Sequence, residues 1–214
     1  MEPSLLQFAL TAFVTLLVVV DPIGVAPLFV AITQEESPAQ RRATLARAVF
    51  IAFGVTVFFL VAGRLLLAQL GVSVHAFAIS GGILLFATAV PMLFGHRPVM
   101  QGPERGQTDA QDADPAVFPL AIPLLSGPGA IATILLLAGE ATGQPWRIGV
   151  LVLVTGLVYL ISWLILGAAD ALIQKLGRGR INVITRVLGI VLAALAVQYV
   201  LDGIAAYWKV LATG

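Results

Sequence analysis

Apolar positions in this chain run in long unbroken stretches, neither alternating with polar ones nor confined to one helical face. Strands of a membrane barrel would show period-two polarity, and soluble helices a period near 3.6; neither pattern marks these runs. About 20 apolar residues cross roughly 30 Å of hydrocarbon as a helix. Backbone in lipid must satisfy its own hydrogen bonds, so such spans are helices. Six segments qualify: Leu5–Ile32, Ala46–Leu70, Val74–Phe94, Val117–Ala138, Ile148–Ile173 and Val183–Trp208. The predicted fold is an all-α membrane protein with six transmembrane helices. The one long hydrophilic stretch, 95–116, is rich in Gly, Pro, Gln and Asp and reads as a cytoplasmic linker. It divides three spans (1–94) from three spans (117–214).

Polar and helix-breaking residues interrupt two of the runs. "LVVVDPIGVAPLF" in the first span aligns with "IPLLSGPGAIATI" in the fourth at an offset of about 105, which sets Asp21 on Ser126 and Gly24 on Gly129. "GGILLFATAV" (81–90) in the third span aligns with "LGIVLAALAV" (188–197) in the sixth. Three spans is an odd number, so the second copy enters the membrane with opposite polarity. The halves are therefore expected to be two inverted three-helix repeats, an arrangement of many secondary transporters.

Both interruptions are expected to make the first and fourth helices discontinuous. Pro22 has no backbone N–H, and in a helix interior its ring would meet the carbonyl four residues earlier. Gly24 costs about 1 kcal/mol relative to Ala inside a helix. Asp followed by Pro reads instead as a helix start, with Asp21 as N-cap and Pro22 in the first turn. One helix should end near Val20 and a second begin after Asp21. "SGPG" reads in the same way, with Ser126 as the candidate cap. Each break leaves open N–H groups at one helix start, suited to an anion, and open carbonyls at one helix end, suited to a cation. A pair of interrupted spans in corresponding positions points to a transporter's binding site.

The candidate substrate-binding residues are therefore Asp21, Pro22, Gly24, Val25, Pro27, Ser126, Gly127, Pro128, Gly129 and Thr133, the last lying one turn beyond the second break. A carboxylate inside a span is expensive and marks a site, an ion path or a relay by default. The lone Pro91 is expected to do no more than kink its helix, and Gly81 and Gly82 to let two helices approach closely.

Composition and charge narrow the functional classes. The chain is 59% hydrophobic and 11% charged, against about 25% charged in a soluble domain. A net charge of +1 offers no basic patch for nucleic acid. With no Cys and two His, neither a disulfide framework nor a thiolate metal site is expected, and no cofactor is implied. The amino-terminal "MEPSLLQFAL" carries Glu2 and no Lys or Arg, so it is expected to stay in place as a span and not to act as a secretory signal. If the N terminus lies outside, nine Lys/Arg fall on the inner side and three (Arg64, Arg147, Lys209) on the outer, which predicts both termini extracytoplasmic.

"DPIGVAPLF", "AISGGILLF", "FPLAIPLLSGPGAIAT" and "LDGI", in this order, resemble the MarC family of bacterial inner-membrane proteins. The resemblance covers nearly the whole chain. It implies six helices in two inverted repeats with the first and fourth discontinuous. It also implies transport of small neutral amino acids such as glycine and alanine, driven by a proton or sodium gradient. Similar sequences often place Asn where this chain has Val25, and some carry Asn in place of Asp21. A capping or hydrogen-bonding role for Asp21 survives either residue. The implied partners are a small neutral amino acid, a coupling ion and the lipid bilayer, with a homo-oligomer left open.

On this reading a glycine-sized zwitterion lies between the breaks by alternating access. Its carboxylate faces N–H groups near Gly24 or Gly129, and its ammonium faces carbonyls and Asp21. An exporter or channel for another small solute is the alternative. An aspartyl intramembrane protease would need a second carboxylate facing Asp21, but Asp170 and Asp202 lie near span ends. A Ser/His hydrolase would need a histidine, and His75 and His96 also lie at span ends.

Overall fold

A computed structural model of the chain describes residues 4–94, 114–141 and 143–213. The linker expected over 95–116 lies almost wholly outside them. The described residues form helices α1 (Leu5–Val20), α2 (Pro22–Ile32), α3 (Pro38–Gln69) and α4 (Val74–Phe94) in the first half. The second half opens with an irregular coil of wide helical turns, Ala116–Leu125, interrupted by extended residues at Phe118 and Ile122, followed by α5 (Pro128–Glu140), α6 (Pro145–Gly167) and α7 (Ala169–Thr213). No strand occurs among the described residues. Five stretches are long and apolar enough to cross a membrane, the first being α1 and α2 together over Leu5–Ile32. The coil and α5, bent by 52° at their junction, make a sixth.

Several boundaries differ from the hydropathy reading. α3 starts at Pro38 and not Ala46, because a reciprocal capping box holds its first turn: Ser37 N–H donates to Gln40 Oε1 (3.0 Å) and Gln40 N–H to Ser37 Oγ (3.4 Å). The fifth span ends at Gly167 and not Ile173. The residues after it open α7, which breaks at Gly177 (φ 75°), and the span proper is Gly179–Lys209. Pro91 sits inside α4 without ending it.

Exchanging the two halves preserves the main packing contacts. α3 packs on the Ala116–Leu125 coil and on α5, while α6 packs on α1 and α2. α4 packs on α5 as α7 packs on α2, and α3 meets α6. The most extensive contact, α4 with α7, shows the exchange residue by residue. A Cβ on Gly82 would lie 2.7 Å from the Ala196 carbonyl, and one on Gly189 would lie 3.4 Å from the Ala89 carbonyl. Gly82 and Ala89 are the residues that the repeat alignment pairs with Gly189 and Ala196. Leu85, Ala89, Leu192 and Ala196 pack together in the seam between the two helices. Absence of a side chain at both glycines is what lets the backbones come this close. With three spans in each half, this exchange inverts the second repeat relative to the first.

The six spans alternate in direction, so one end of the bundle carries both chain termini and the other carries Arg41, Arg42 and Asp170. Two ion pairs join the halves at this second end, Arg41–Asp170 (2.5 Å) and Arg47–Asp114 (2.6 Å).

Candidate functional site

The first break is a single residue wide. α1 ends at Val20, and Asp21 adopts a left-handed conformation (φ 44°, ψ 60°), the only non-glycine residue with positive φ among those described. Asp tolerates this region because its short polar side chain can bond locally. Here Asp21 Oδ1 accepts the Gly24 N–H (3.1 Å), and the Asp21 carbonyl accepts the Val25 N–H (3.0 Å). Pro22 follows in the first turn of α2. The Asp-Pro reading of this junction is therefore what the backbone does. Gly24 has a local reason as well: a Cβ there would collide with Asp21 Oδ2.

The second break is built differently, and the candidate cap is corrected. Ser126 does not cap α5. Its hydroxyl and its N–H both donate backward to the Ala121 carbonyl (2.8 and 2.9 Å), closing the coil that precedes it. Gly127 takes the N-cap position with no side-chain acceptor. A Cβ on Gly127 would collide with the Pro123 carbonyl, so that close backbone approach requires glycine. Aligning helix starts sets Pro22 on Pro128 and Asp21 on Gly127, one residue later than the sequence alignment. Where the first break carries a carboxylate, the second carries nothing.

The consequence is an electrostatic asymmetry between two otherwise matched junctions. The first N–H groups of an α-helix lack intrahelical partners and carry the positive end of its dipole. In α2 one of these is taken by Asp21. In α5 the N–H groups of Gly129 and Ala130 have no capping oxygen. Opposite them, the last carbonyls of α1, including those of Val19 and Val20, are the negative end of theirs.

Both breaks line one cavity of about 120 Å³. It brings together Asp21, Gly24 and Val25 from the first break with Gly127, Pro128 and Gly129 from the second. α4 and α7 close it with Leu84, Leu85, Thr88, Met92 and Leu192. Among the described residues Asp21 is its only ionisable side chain, and it is 8% exposed. The remaining candidates lie elsewhere. Pro22 is buried beside the cavity, Pro27 is exposed on the outer face of α2, and Ser126 is buried in its own turn. Thr133 lines a different cavity.

Two tyrosines in mid-span belong to this neighbourhood and do not stand among the sequence candidates. Tyr159 of α6 lies within hydrogen-bonding distance of the Leu125 carbonyl (3.0 Å), at the end of the broken coil, and of Thr56 Oγ1 (2.7 Å). Thr56 Oγ1 in turn lies 2.9 Å from the Ala52 carbonyl. These three contacts have only two hydroxyl protons between them. The arrangement with least loss sends Thr56 to Tyr159 and Tyr159 to Leu125, because the Ala52 carbonyl keeps its helical N–H donor. Tyr199 of α7 pairs with Thr133 (2.7 Å). The available signal was position: Tyr is at home in the interfacial belt, and a buried phenol needs a partner.

Comparison with known proteins agrees with the fold. The profile described as MarC family integral membrane protein matches residues 6–208. A UPF0056 membrane protein of Archaeoglobus fulgidus is 38% identical over 201 residues, 94% of this chain and 93% of its own. The UPF0056 inner membrane protein YhgN of Escherichia coli K12 is 34% identical over 200 residues, 94% of this chain and 98% of its own. The UPF0056 membrane protein YvbG of Bacillus subtilis is 30% identical over 207 residues, 96% of this chain and 98% of its own. No solved structure matches.

Proposed function

The chain belongs to the MarC family of integral membrane proteins, and from that premise we propose that it is a secondary transporter of small neutral amino acids working by alternating access. The observation that carries this reading is the single cavity lined by both helix breaks. Its size favours a small substrate. An engineered cavity of about 150 Å³ holds benzene, so about 120 Å³ suits a molecule of about half a dozen non-hydrogen atoms, in the range of glycine or alanine.

The asymmetry of the breaks orients the substrate. Its carboxylate meets the uncapped start of α5, at the N–H groups of Gly129 and Ala130, where a helix terminus favours an anion. The start of α2 is the poorer anion site, because Asp21 already occupies the Gly24 N–H. The ammonium group meets the Asp21 carboxylate and the last carbonyls of α1. Valine, leucine and methionine side chains around these groups exclude water and strengthen both interactions.

The Lys/Arg bias favours both termini on the extracytoplasmic side of a bacterial inner membrane, and a proton or sodium gradient is the expected driving force. Uptake of labelled glycine, alanine and serine into proteoliposomes, with and without each gradient, tests the reading. Gradient-dependent accumulation of the two smallest is expected. Failure to accumulate any neutral amino acid overturns the substrate assignment.

A further inference from the structure

A second cavity, of about 670 Å³, enters the bundle from the end that carries the chain termini. It is lined by groups of both charge signs, among them Arg64, His75, Glu140 and Asp202. The break cavity approaches from the opposite direction, and four helices, α1, α4, α5 and α7, line both. On α1 the lining passes from Val19 in the break cavity to Thr15 in the vestibule. On α5 it passes from Gly129 to Thr133, and on α7 from Leu192 to Leu195. Each step is a single helical turn, about 5.4 Å along the axis. Along α1, α5 and α7 the septum between the two spaces is therefore one turn thick, while along α4 the linings, at Leu84 and His75, lie further apart.

A hydroxyl pair ties this septum together. Thr133 Oγ1 lies 2.7 Å from the Tyr199 hydroxyl and donates to the Gly129 carbonyl at 2.8 Å. With the threonine proton committed to Gly129, the phenol is the donor to Thr133. Thr133 is wholly buried and Tyr199 nearly so. The pair joins α5, which begins at the second break, to α7, which packs along α4.

We propose that the Thr133–Tyr199 pair is the latch of the gate between the vestibule and the break cavity, a step that rests on the transport reading. A molecule moving between the two spaces has to part α5 from α7 at this contact. The phenol proton then has an alternative acceptor in the substrate carboxylate, so a zwitterion entering the septum replaces the bond that it breaks. An apolar molecule of the same size offers no such replacement. The vestibule, with charges of both signs, suits a zwitterion on its way in.

The absence of cysteine in the chain makes the test direct. Ala130→Cys places one thiol in the break cavity, and Ala206→Cys places one in the vestibule as a control for folding and sidedness. A membrane-impermeant maleimide is applied to proteoliposomes from the vestibule side. The Ala206→Cys thiol should react readily in every background, and the Ala130→Cys thiol slowly in the parent. Adding Tyr199→Phe, which removes one hydrogen bond and orphans no donor, should raise the Ala130→Cys rate about fivefold. Thr133→Ser keeps the hydroxyl and should leave that rate at the parent value. An Ala130→Cys rate unmoved by Tyr199→Phe, with normal Ala206→Cys labelling, overturns the latch. So does an Ala130→Cys thiol that already reacts as fast as the control. Since the reagent is not a substrate, failure of amino acid uptake with a positive labelling result would count against the substrate and leave the gate standing.

Discussion

Replacing Asp21 separates a backbone role from a ligand role. Asp21 does two things for the fold: it caps α2 through the Gly24 N–H, and it holds a left-handed conformation at φ 44°. Loss of an N-cap costs about 1 kcal/mol, and forcing an ordinary residue into the left-handed region costs about 1–2 kcal/mol. Asp21→Ala suffers both losses, about 2–3 kcal/mol in all. Asp21→Gly relieves the conformational term and is only a few tenths of a kcal/mol weaker as a cap. Asp21→Asn retains both functions. At about 2–4 °C per kcal/mol for a chain of this size, the alanine variant should melt roughly 5–10 °C lower in detergent. The asparagine variant should match the parent. Uptake should rank them differently. A hydrogen bond to a charged group contributes about 1.5–3 kcal/mol, so loss of the carboxylate should raise KM for glycine about ten- to hundredfold in Asp21→Asn despite its intact fold. An alanine variant as stable as the parent refutes the capping argument. An asparagine variant with unchanged KM removes the carboxylate from the substrate.

Two further outcomes follow from packing. Alanine at Gly82 should destabilise by about 1–3 kcal/mol through backbone overpacking against Ala196. At Gly189, where the new contacts are 3.0 and 3.4 Å, the loss should be smaller, while Gly149→Ala, with nothing within 4 Å, should gain from helix propensity. Thermal melts that place Gly82→Ala level with Gly149→Ala would dismiss the close α4–α7 approach. Tyr159→Phe leaves the Leu125 carbonyl without its donor and should lose about 1–3 kcal/mol. Thr56→Val leaves that bond intact and should lose less; the reverse order in melting temperature would mean that the protons are arranged the other way.

Much of this was legible because membrane spans have few ways to fail. Asp21-Pro22 could be placed to the residue, since proline forbids helix continuation and aspartate is both a cap and tolerant of left-handed geometry. Ser126 was misplaced as a cap for a reason that no local rule contains. Gly127 has to pass close to the Pro123 carbonyl, which turns Ser126 backward onto Ala121. The early start of α3 was hidden because its first turns, "PAQRRATLA", are too polar to register as span, although the Ser37–Gln40 box is visible on inspection. Tyr159 and Tyr199 escaped because hydropathy counts a tyrosine as one more bulky residue, whereas its hydroxyl in mid-span demands a partner from another helix.

The α4–α7 seam would be complete in a pair of identical three-span subunits set antiparallel in the bilayer. Gly82 against Ala196 and Gly189 against Ala89 is the same contact made twice, as a dimer of one gene product would make it. The cavity would not be complete. It has one charged break and one bare break, and identical subunits would supply two carboxylates or none. A two-fold scaffold suffices for the seam; the polarity of the cavity requires the two halves to differ, with Asp21 at one helix start and Gly127 at the other.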